Sequence, residues 1–218
     1  MILRKQWATK SDDLVLGSLL EDLKRRSKRA LLKHKDELQP ETEAAFNLSS
    51  IICQTRRWEW PWALKQALEH NDDLMPLRHI KVLDIGSGFR PFTLWLRDFE
   101  FDVTALDDLS WNTKEDLAGL FYGHGVNFVN ADARDLPFAD ASFDHSFCIS
   151  VVEHCERKDI DKIISEGRRV TRPDGLFIVT VDFCEKVGFL LPDEPAPKNA
   201  VRNLFGVPAA GIVFSGGV

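Results

Sequence analysis

A glycine turn near the middle of the chain is the first feature whose residue types could do chemistry. Residues 84–88 read Asp-Ile-Gly-Ser-Gly, and they follow the apolar run 80–83 and precede Pro91. Glycine lets a backbone approach a ligand closely, and proline suits the first turn of a helix. The pattern predicts a strand, a ligand-binding turn and a helix. A plain strand-to-helix turn is the alternative interpretation.

Polar side chains with acid or base chemistry recur at the ends of the apolar runs that follow. Asp107 and Asp108 end the second run, Asp132 follows the third, and Glu153 and His154 follow the fourth. A carboxylate accepts hydrogen bonds from hydroxyl and amino groups, and an imidazole can remove a proton near neutral pH. These residues could hold a polar ligand and act on it if the fold brings them together.

The runs themselves predict a doubly wound, mostly parallel α/β sheet. Short β-rich segments alternate with helical ones at intervals typical of β-α-β units. The predicted strands are 80–85, 102–107, 126–130, 145–151 and 176–182, and the predicted helices are 91–98, 112–122 and 157–170. In such sheets a ligand lies across the carboxyl ends of the strands, where the strand order reverses. The acidic residues at the ends of the predicted strands would therefore lie close together at that edge of the sheet.

The first third of the chain is helical in pattern. An amphipathic helix is predicted over 11–35, a second from 41 toward 57, and a third from Pro61. We expect residues 1–77 to form an N-terminal helical extension and lid, and residues 78–218 to form the ligand-binding domain. The segment 56–62 holds three of the six tryptophans and two arginines. It predicts core packing, a lid over the cleft, or both, and its arginines could meet an anionic ligand.

Composition limits the class of protein. The 218 residues are 44% hydrophobic and 28% charged, and the formal net charge is −6. This balance disfavours nonspecific nucleic-acid binding, although residues 1–40 hold ten Lys or Arg against six Asp or Glu. No run of about 18 apolar residues is present to span a membrane, so we expect a cytoplasmic protein. The four cysteines include no Cys-x-x-Cys pair, which predicts reduced thiols and no metal site.

The Asp-x-Gly-x-Gly turn resembles motif I of the class I S-adenosylmethionine-dependent methyltransferases, of the methyltransferase type 11 kind. The similarity continues in order through strand two, the segment 130–144, the residues 150–154 and the turn 169–175, so it covers about residues 78–183. It implies a Rossmann-like fold, S-adenosylmethionine as cofactor, ribose hydroxyls on Asp107 and the adenine amino group on Asp132. The implied cofactor-binding residues are Asp84, Gly86, Ser87, Gly88, Arg90, Asp107, Asp108, Asp132, Ala133 and Ser150.

Three features depart from the pattern of that family. Arg90 stands where many members have a third glycine, Asp174 replaces a glycine of a Pro-Gly-Gly turn, and the chain after strand five is short. Arg90 either contacts the carboxylate of the cofactor or points to solvent. In the last 35 residues, 211–214 reads as one strand. The sheet is therefore abbreviated, completed by a partner chain such as a second copy in a homodimer, or continued in a longer chain.

The implied activity is methyl transfer to an oxygen or nitrogen of a small molecule. Residues 150–155 lack the Asn/Asp-Pro-Pro-Tyr box with which similar methyltransferases hold exocyclic amines of nucleobases or amides. They also lack the Pro-Cys nucleophile of the cytosine C5 methyltransferases. His154 is the candidate general base or acceptor-orienting residue, with Glu153 steadying its ring or standing in for it. A histidine that only packs at the strand end is the alternative. The transfer requires alignment and exclusion of water, and it requires no metal.

Two other hypotheses stay open. A nicotinamide-dependent oxidoreductase would need Gly-x-Gly-x-x-Gly, and Pro91 stands at the third glycine position. A catalytically silent module would bind S-adenosylmethionine without turnover. Cofactor binding separates the methyltransferase from the oxidoreductase, and turnover separates it from the silent module.

Overall fold

The computed structural model describes residues 56–71, 75–88, 91–110 and 117–181, with short pieces at 18–19, 21–22, 25, 190–191, 194–195 and 211–215. Arg90 and all but the end of the predicted helix 41–57 lie outside these residues. Within the predicted helix 11–35, the described residues are helical, and Leu19 packs against the core of the sheet. Over the described ranges, no helix is long and apolar enough to cross a membrane.

One six-stranded sheet organises the molecule. Its strands are β1 (Lys81–Ile85), β2 (Asp102–Asp107), β3 (Asn127–Asn130), β4 (Phe143–Ile149), β5 (Thr171–Thr180) and β8 (Gly211–Ser215), and a separate pair is formed by β6 (Leu190–Leu191) and β7 (Glu194–Pro195). The order in the sheet is β3-β2-β1-β4-β5-β8, with β8 antiparallel to β5 and all other pairs parallel. The predicted doubly wound, mostly parallel sheet is confirmed, as is the strand predicted near 211–214.

Within the four longer described ranges, the helices that flank the strands are α1 (Arg56–His70), α2 (Pro91–Asp98), α3 (Leu117–Gly123) and α4 (Arg157–Val170). The bounds of α2 and α4 agree with the predicted 91–98 and 157–170. The predicted third helix began at Pro61, whereas α1 begins at Arg56 and carries this proline inside it. The reason is tertiary: four side chains spaced along one face of α1 are fully buried, namely Trp60, Ala63, Leu64 and Ala67. That buried face outweighs the hydrogen bond that proline removes.

Alternate residues of each strand face opposite sides of the sheet, and helices cover both sides. Val82, Phe147 and Ile178 belong to the core shared with α1, α2 and α3. Leu83, Cys148 and Phe177 belong to the core shared with α4. Full burial of such side chains contributes roughly 1.5–3 kcal/mol each, which explains why the strands read as continuous apolar runs.

The start of β5 differs from the prediction. The strand begins at Thr171, five residues before the predicted start at 176, and thus includes the segment predicted as a turn. The pairing with β4 shifts register between Phe143 and His145. A Cβ on Gly175 would lie 1.9 Å from the backbone oxygen of Asp144, so glycine permits a backbone approach there that no other residue would. Residues 171–175, predicted as a turn, therefore form the irregular first part of β5.

The aromatic segment of α1 is part of the core. Trp60 is fully buried with its ring 6.1 Å from that of Phe92, and Trp62 is nearly as buried. For these two rings the packing interpretation is confirmed. The side chains of Arg57 and Trp58 lie outside the described residues, and the lid and the division at residue 77 stay predictions.

Candidate active site

A cavity of about 780 Å³ lies at the carboxyl ends of β1 to β4. The order of the sheet reverses here, because β1 has β2 on one side and β4 on the other. Ligands bind at this position in such sheets, in cavities of roughly 300–1,000 Å³. The lining residues come from the end of β2, from the segments that follow β1 to β4, and from α4: Gly86, Gly88, Leu106, Asp107, Asp108, Ser110, Ala131, Asp132, Ala133, Arg134, Ser150, Val151, His154, Cys155, Glu156, Asp159 and Ile163.

The glycine turn after β1 forms one wall. Gly86 and Gly88 have left-handed backbones, with φ of +65° and +49°, a region that glycine adopts without cost. A Cβ on Gly86 would lie 2.6 Å from Cγ2 of Val151. The Gly88 N–H donates a hydrogen bond of 2.8 Å to Oδ2 of Asp107. The turn is therefore fixed to the ends of both neighbouring strands, β2 and β4.

Two residues of the turn motif lie behind this wall and are not among the lining residues. Asp84 is buried, and its Oδ2 accepts a hydrogen bond of 2.5 Å from Thr93 Oγ1, which joins β1 to α2. Ser87 is buried, and its Oγ has no hydrogen-bond partner within the described residues. Arg90, also predicted to bind the cofactor, lies outside the described part of the chain.

The acids after β2 line the cavity as predicted. Asp107 is 5% exposed, and its two oxygens accept hydrogen bonds from the N–H groups of Gly88, at 2.8 Å, and Leu109, at 2.9 Å. A carboxylate can accept more than one hydrogen bond at each oxygen. Asp108 is exposed and accepts a hydrogen bond from the Ser110 N–H.

The acid after β3 is held by an arginine to which the sequence assigned no role. Arg134 Nε and Nη2 donate to the carboxylate of Asp132 at 2.9 and 2.6 Å, and its Nη1 donates to Asp159 of α4 at 3.1 Å. Hydrogen bonding to Arg134 lowers the pKa of Asp132 below its ordinary value. Asp132 therefore stays a carboxylate, and Ala133 lies beside it on the cavity wall.

The segment after β4 brings together a strained serine and a carboxylate from α1. Ser150 has a left-handed φ of +49° and lines the cavity, and its Oγ donates a hydrogen bond of 2.7 Å to Oε1 of Glu59. Thr180 Oγ1, at the end of β5, donates to the same oxygen. Sequence reasoning missed Glu59, because its partners lie 91 and 121 positions away and no local pattern marks it.

The two predicted catalytic residues lie on a 3-10 turn, Val152–His154, that follows β4. His154 is exposed and lines the cavity. Glu153 is 5% exposed and is not among the lining residues. The turn therefore presents the imidazole to the cavity and directs the preceding carboxylate into the protein.

Cys155 follows this turn and also lines the cavity. Burial, with the negative charges of Asp159 and Glu153, raises the pKa of Cys155 to about 11. The residue is thus a neutral thiol near pH 7, which is a poor nucleophile. Cys155 and the buried Cys148 form no disulfide within the described residues. Cys53 and Cys184 lie outside those residues, so the reduced state of all four cysteines stays a prediction.

Comparison with known proteins identifies the domain that holds this cavity. Residues 83–179 match the family model described as a methyltransferase domain, a span that begins in β1, ends in β5 and contains every lining residue. The chain is 30% identical over 122 residues to a sterol 4-C-methyltransferase of Caenorhabditis elegans, and 31% identical over 147 residues to an O-methyltransferase of Aspergillus nomiae. These matches cover 54% and 64% of the chain and 36% and 61% of the relatives.

A solved structure supports the fold. The PH0226 protein of Pyrococcus horikoshii is 26% identical, with a TM-score of 0.51 over 63% of this chain and 62% of that one. The chain thus spans less than two thirds of the length of each of these relatives. The matched span contains the glycine turn, the acids after β2 and β3 and the turn after β4. Residues 83–179 therefore match a methyltransferase domain, and the sheet that holds the cavity has the Rossmann-like fold of the class I S-adenosylmethionine-dependent methyltransferases.

Proposed function

We propose that the cavity binds S-adenosylmethionine, the methyl donor of the class I methyltransferases that this domain resembles. The glycine turn brings backbone, without side chains, to the wall between β1 and β2. Asp107 is nearly buried there and presents a carboxylate that can accept hydrogen bonds from hydroxyl groups. Asp132 is held as a carboxylate farther along the same wall. The hydrogen-bond acceptors of Asp107 and Asp132 thus match the hydroxyl and amino donors of a nucleoside.

We propose that the protein transfers a methyl group from S-adenosylmethionine to an oxygen or nitrogen of a small-molecule acceptor. One observation carries the proposal: the glycine turn, Asp107, Asp132 and His154 all line a single cavity. We call the residues after β2 and β3, namely Asp107, Asp108, Asp132 and Arg134, the nucleoside end. We call Ser150 and His154 the transfer end, and Glu59 lies behind it.

At the nucleoside end the protein binds and orients. Asp107 would accept the ribose hydroxyls, and Asp132 would accept the adenine amino group. Arg134 donates to both oxygens of Asp132, so a hydrogen bond from the adenine amino group would use a second acceptor position on one of them. Holding a reactant in one orientation can contribute roughly 7–11 kcal/mol to lowering a barrier. When bound, S-adenosylmethionine supplies an electrophilic methyl group on a sulfonium.

At the transfer end His154 would act on the acceptor. An oxygen or nitrogen acceptor must lose a proton as it gains the methyl group, and a positioned base assists by about 100-fold or more. The exposed imidazole at the cavity wall suits this task. Glu153 lies on the same turn and is buried away from the cavity lining, so of its two predicted roles we propose that it steadies the ring of His154.

The start of α1 supports a narrower proposal about the acceptor. Arg56 and Arg57 precede the buried part of α1, whose Glu59 reaches the transfer end. We propose that the segment 57–62 closes over the bound cofactor and that its arginine, with Arg56, favours an anionic acceptor. Proteolysis near Trp60 should slow when S-adenosylhomocysteine is added. Unchanged cleavage there would contradict closure.

Calorimetry and a metabolite screen test the function directly. The full chain should bind S-adenosylmethionine and S-adenosylhomocysteine and should ignore a nicotinamide dinucleotide. A screen of small metabolites, followed by mass spectrometry, should show one acceptor gaining the mass of a methyl group less a proton. Binding without any methylated product would favour the catalytically silent module. Failure of the folded protein to bind either ligand would overturn the proposal.

A further inference from the structure

A buried carboxylate lies directly behind the transfer end of the cavity. Glu59 is 1% exposed, and its Oε1 accepts hydrogen bonds from Ser150 Oγ, at 2.7 Å, and from Thr180 Oγ1. Ser150 and Thr180 are themselves fully buried, and Ser150 lines the cavity. One hydroxyl group therefore separates the carboxylate from the cavity wall.

The surrounding contacts fix Ser150 in place. Its N–H donates to the backbone oxygen of Thr180 at 3.0 Å and lies 3.2 Å from Thr180 Oγ1. Its left-handed backbone costs a non-glycine residue roughly 1–2 kcal/mol, and such strain persists only where the surroundings impose it. The ends of β4 and β5 and helix α1 impose it together. The position of Glu59 relative to the cavity is thus well defined.

The order of the sheet determines which part of a bound cofactor would face Glu59. This step rests on the proposed function, in which adenine is held after β3 at Asp132 and ribose after β2 at Asp107. The next strands in that direction are β1 and β4, each about 4.8 Å from its neighbour. The sulfonium is attached to the ribose on the side away from adenine. It would therefore lie toward β1 and β4, where Ser150 and Glu59 are found.

We propose that Glu59 makes the cavity prefer the sulfonium of the methyl donor over the thioether of the product. A carboxylate attracts a cation strongly where little water screens the charges. During transfer the methyl carbon bonds to the acceptor, the electron pair of the S–CH₃ bond returns to sulfur, and the proton of the acceptor goes to a base. The sulfur becomes neutral, so Glu59 no longer attracts it. Glu59 is a positioning residue that favours donor binding and product release.

Calorimetry with two ligands tests this preference in the full chain. We compare the Kd of S-adenosylmethionine with the Kd of S-adenosylhomocysteine for the parent and for Glu59→Gln, which keeps the shape and removes the charge. The preference for the sulfonium should fall about tenfold, the size of one interaction with a charged group. The matched control is Glu69→Gln, which removes an exposed charge from the same helix, ten residues away. It should leave the preference within about twofold of the parent, since exposed charges are screened by solvent.

A second variant answers the question if Glu59→Gln does not fold, as judged by circular dichroism. This variant combines Glu59→Gln with Thr180→Val, so that the new glutamine amide accepts a hydroxyl hydrogen bond from Ser150 alone. Its ligand preference is compared with that of Thr180→Val alone. Equal weakening of both ligands would show that Glu59 only supports the fold, which overturns the inference but not the proposed function. A parent that binds neither ligand overturns the proposed function and the inference with it.

Discussion

The two ends of the cavity are built in different ways. At the nucleoside end the contacts that hold the acids are mostly local: Asp107 accepts from the N–H two residues on, and Asp132 is paired with Arg134, also two residues on. At the transfer end the contacts are distant, because Glu59 meets Ser150 across 91 positions. One end is thus a property of short sequence segments, and the other depends on the docking of α1 against β4 and β5.

The docking of α1 has a second anchor at the opposite end of β4. His145 is buried; its Nδ1 accepts a hydrogen bond from the Leu176 N–H at 3.2 Å, and its Nε2 is 2.9 Å from Oδ1 of Asn71, just after α1. This arrangement fits a neutral ring with its proton on Nε2, because a charged ring would point an N–H at the Leu176 N–H. Protonation of His145 in mild acid should therefore weaken this anchor of α1.

The largest expected effect concerns this anchor. Burial, with the nearby His70, lowers the pKa of His145 to about 4. Between pH 6.5 and 4 the unfolded chain binds a proton that the folded chain does not, so the free energy of unfolding should fall by about 3 kcal/mol as the pH drops through this window. Urea unfolding at several pH values measures it.

His145→Gln and the exposed His79→Gln provide the matched pair for that measurement. The extra loss of stability in acid should disappear in His145→Gln and persist in His79→Gln. If both variants show the slope of the parent, His145 does not titrate with unfolding, and the anchor is not acid-sensitive.

The second-largest expected effect is a loss of ligand affinity at the nucleoside end. Asp107→Ala should weaken binding of S-adenosylhomocysteine by roughly 1.5–3 kcal/mol, because it removes a charged acceptor at the cavity wall. Asp102→Asn, at the exposed start of the same strand, is the control and should bind as the parent does. An unchanged Kd in Asp107→Ala, measured by calorimetry, would mean that Asp107 only caps the turn to Leu109.

A smaller effect belongs to the transfer end. His154→Ala should cut turnover on the identified acceptor by about tenfold or more, while the Kd of S-adenosylhomocysteine stays near that of the parent. Turnover should fall while the Kd of S-adenosylhomocysteine does not change, because the imidazole would act on the acceptor and not on the cofactor. Turnover equal to that of the parent from pH 6 to 9 would leave alignment as the mechanism and His154 as a structural residue.

The smallest effect tests whether the local ion pair matters. Arg134→Gln releases Asp132 from a largely exposed pair, and such pairs contribute about 0.2–1 kcal/mol. Binding of S-adenosylhomocysteine should therefore change less than about fivefold. A loss of more than tenfold would show that Arg134 contacts the cofactor itself, and the nucleoside end would then depend on more than its two acids.

The sequence predicted the sheet well where local patterns dominate. The bounds of α2, β2 and α4 agree with those read from apolar runs, proline and charge. The same patterns failed for the start of β5 and for α1. Gly175 reads as a turn residue, yet it lies in a strand because of a close approach to Asp144, and Pro61 reads as a helix start, yet it lies inside α1. In both cases packing against a distant segment overrides local preference.

By itself, the sequence determined the doubly wound fold, the glycine turn and the acids that line the cavity after β2 and β3. Each of these depends on residue types within a few positions of one another, where the turn geometry of glycine and the alternation of strands decide the outcome. Only the tertiary structure placed Asp84 and Ser87 behind the wall, turned Glu153 into the protein and brought Glu59 to Ser150. Those outcomes depend on which buried faces meet, and no local spacing encodes a contact between residues 91 positions apart.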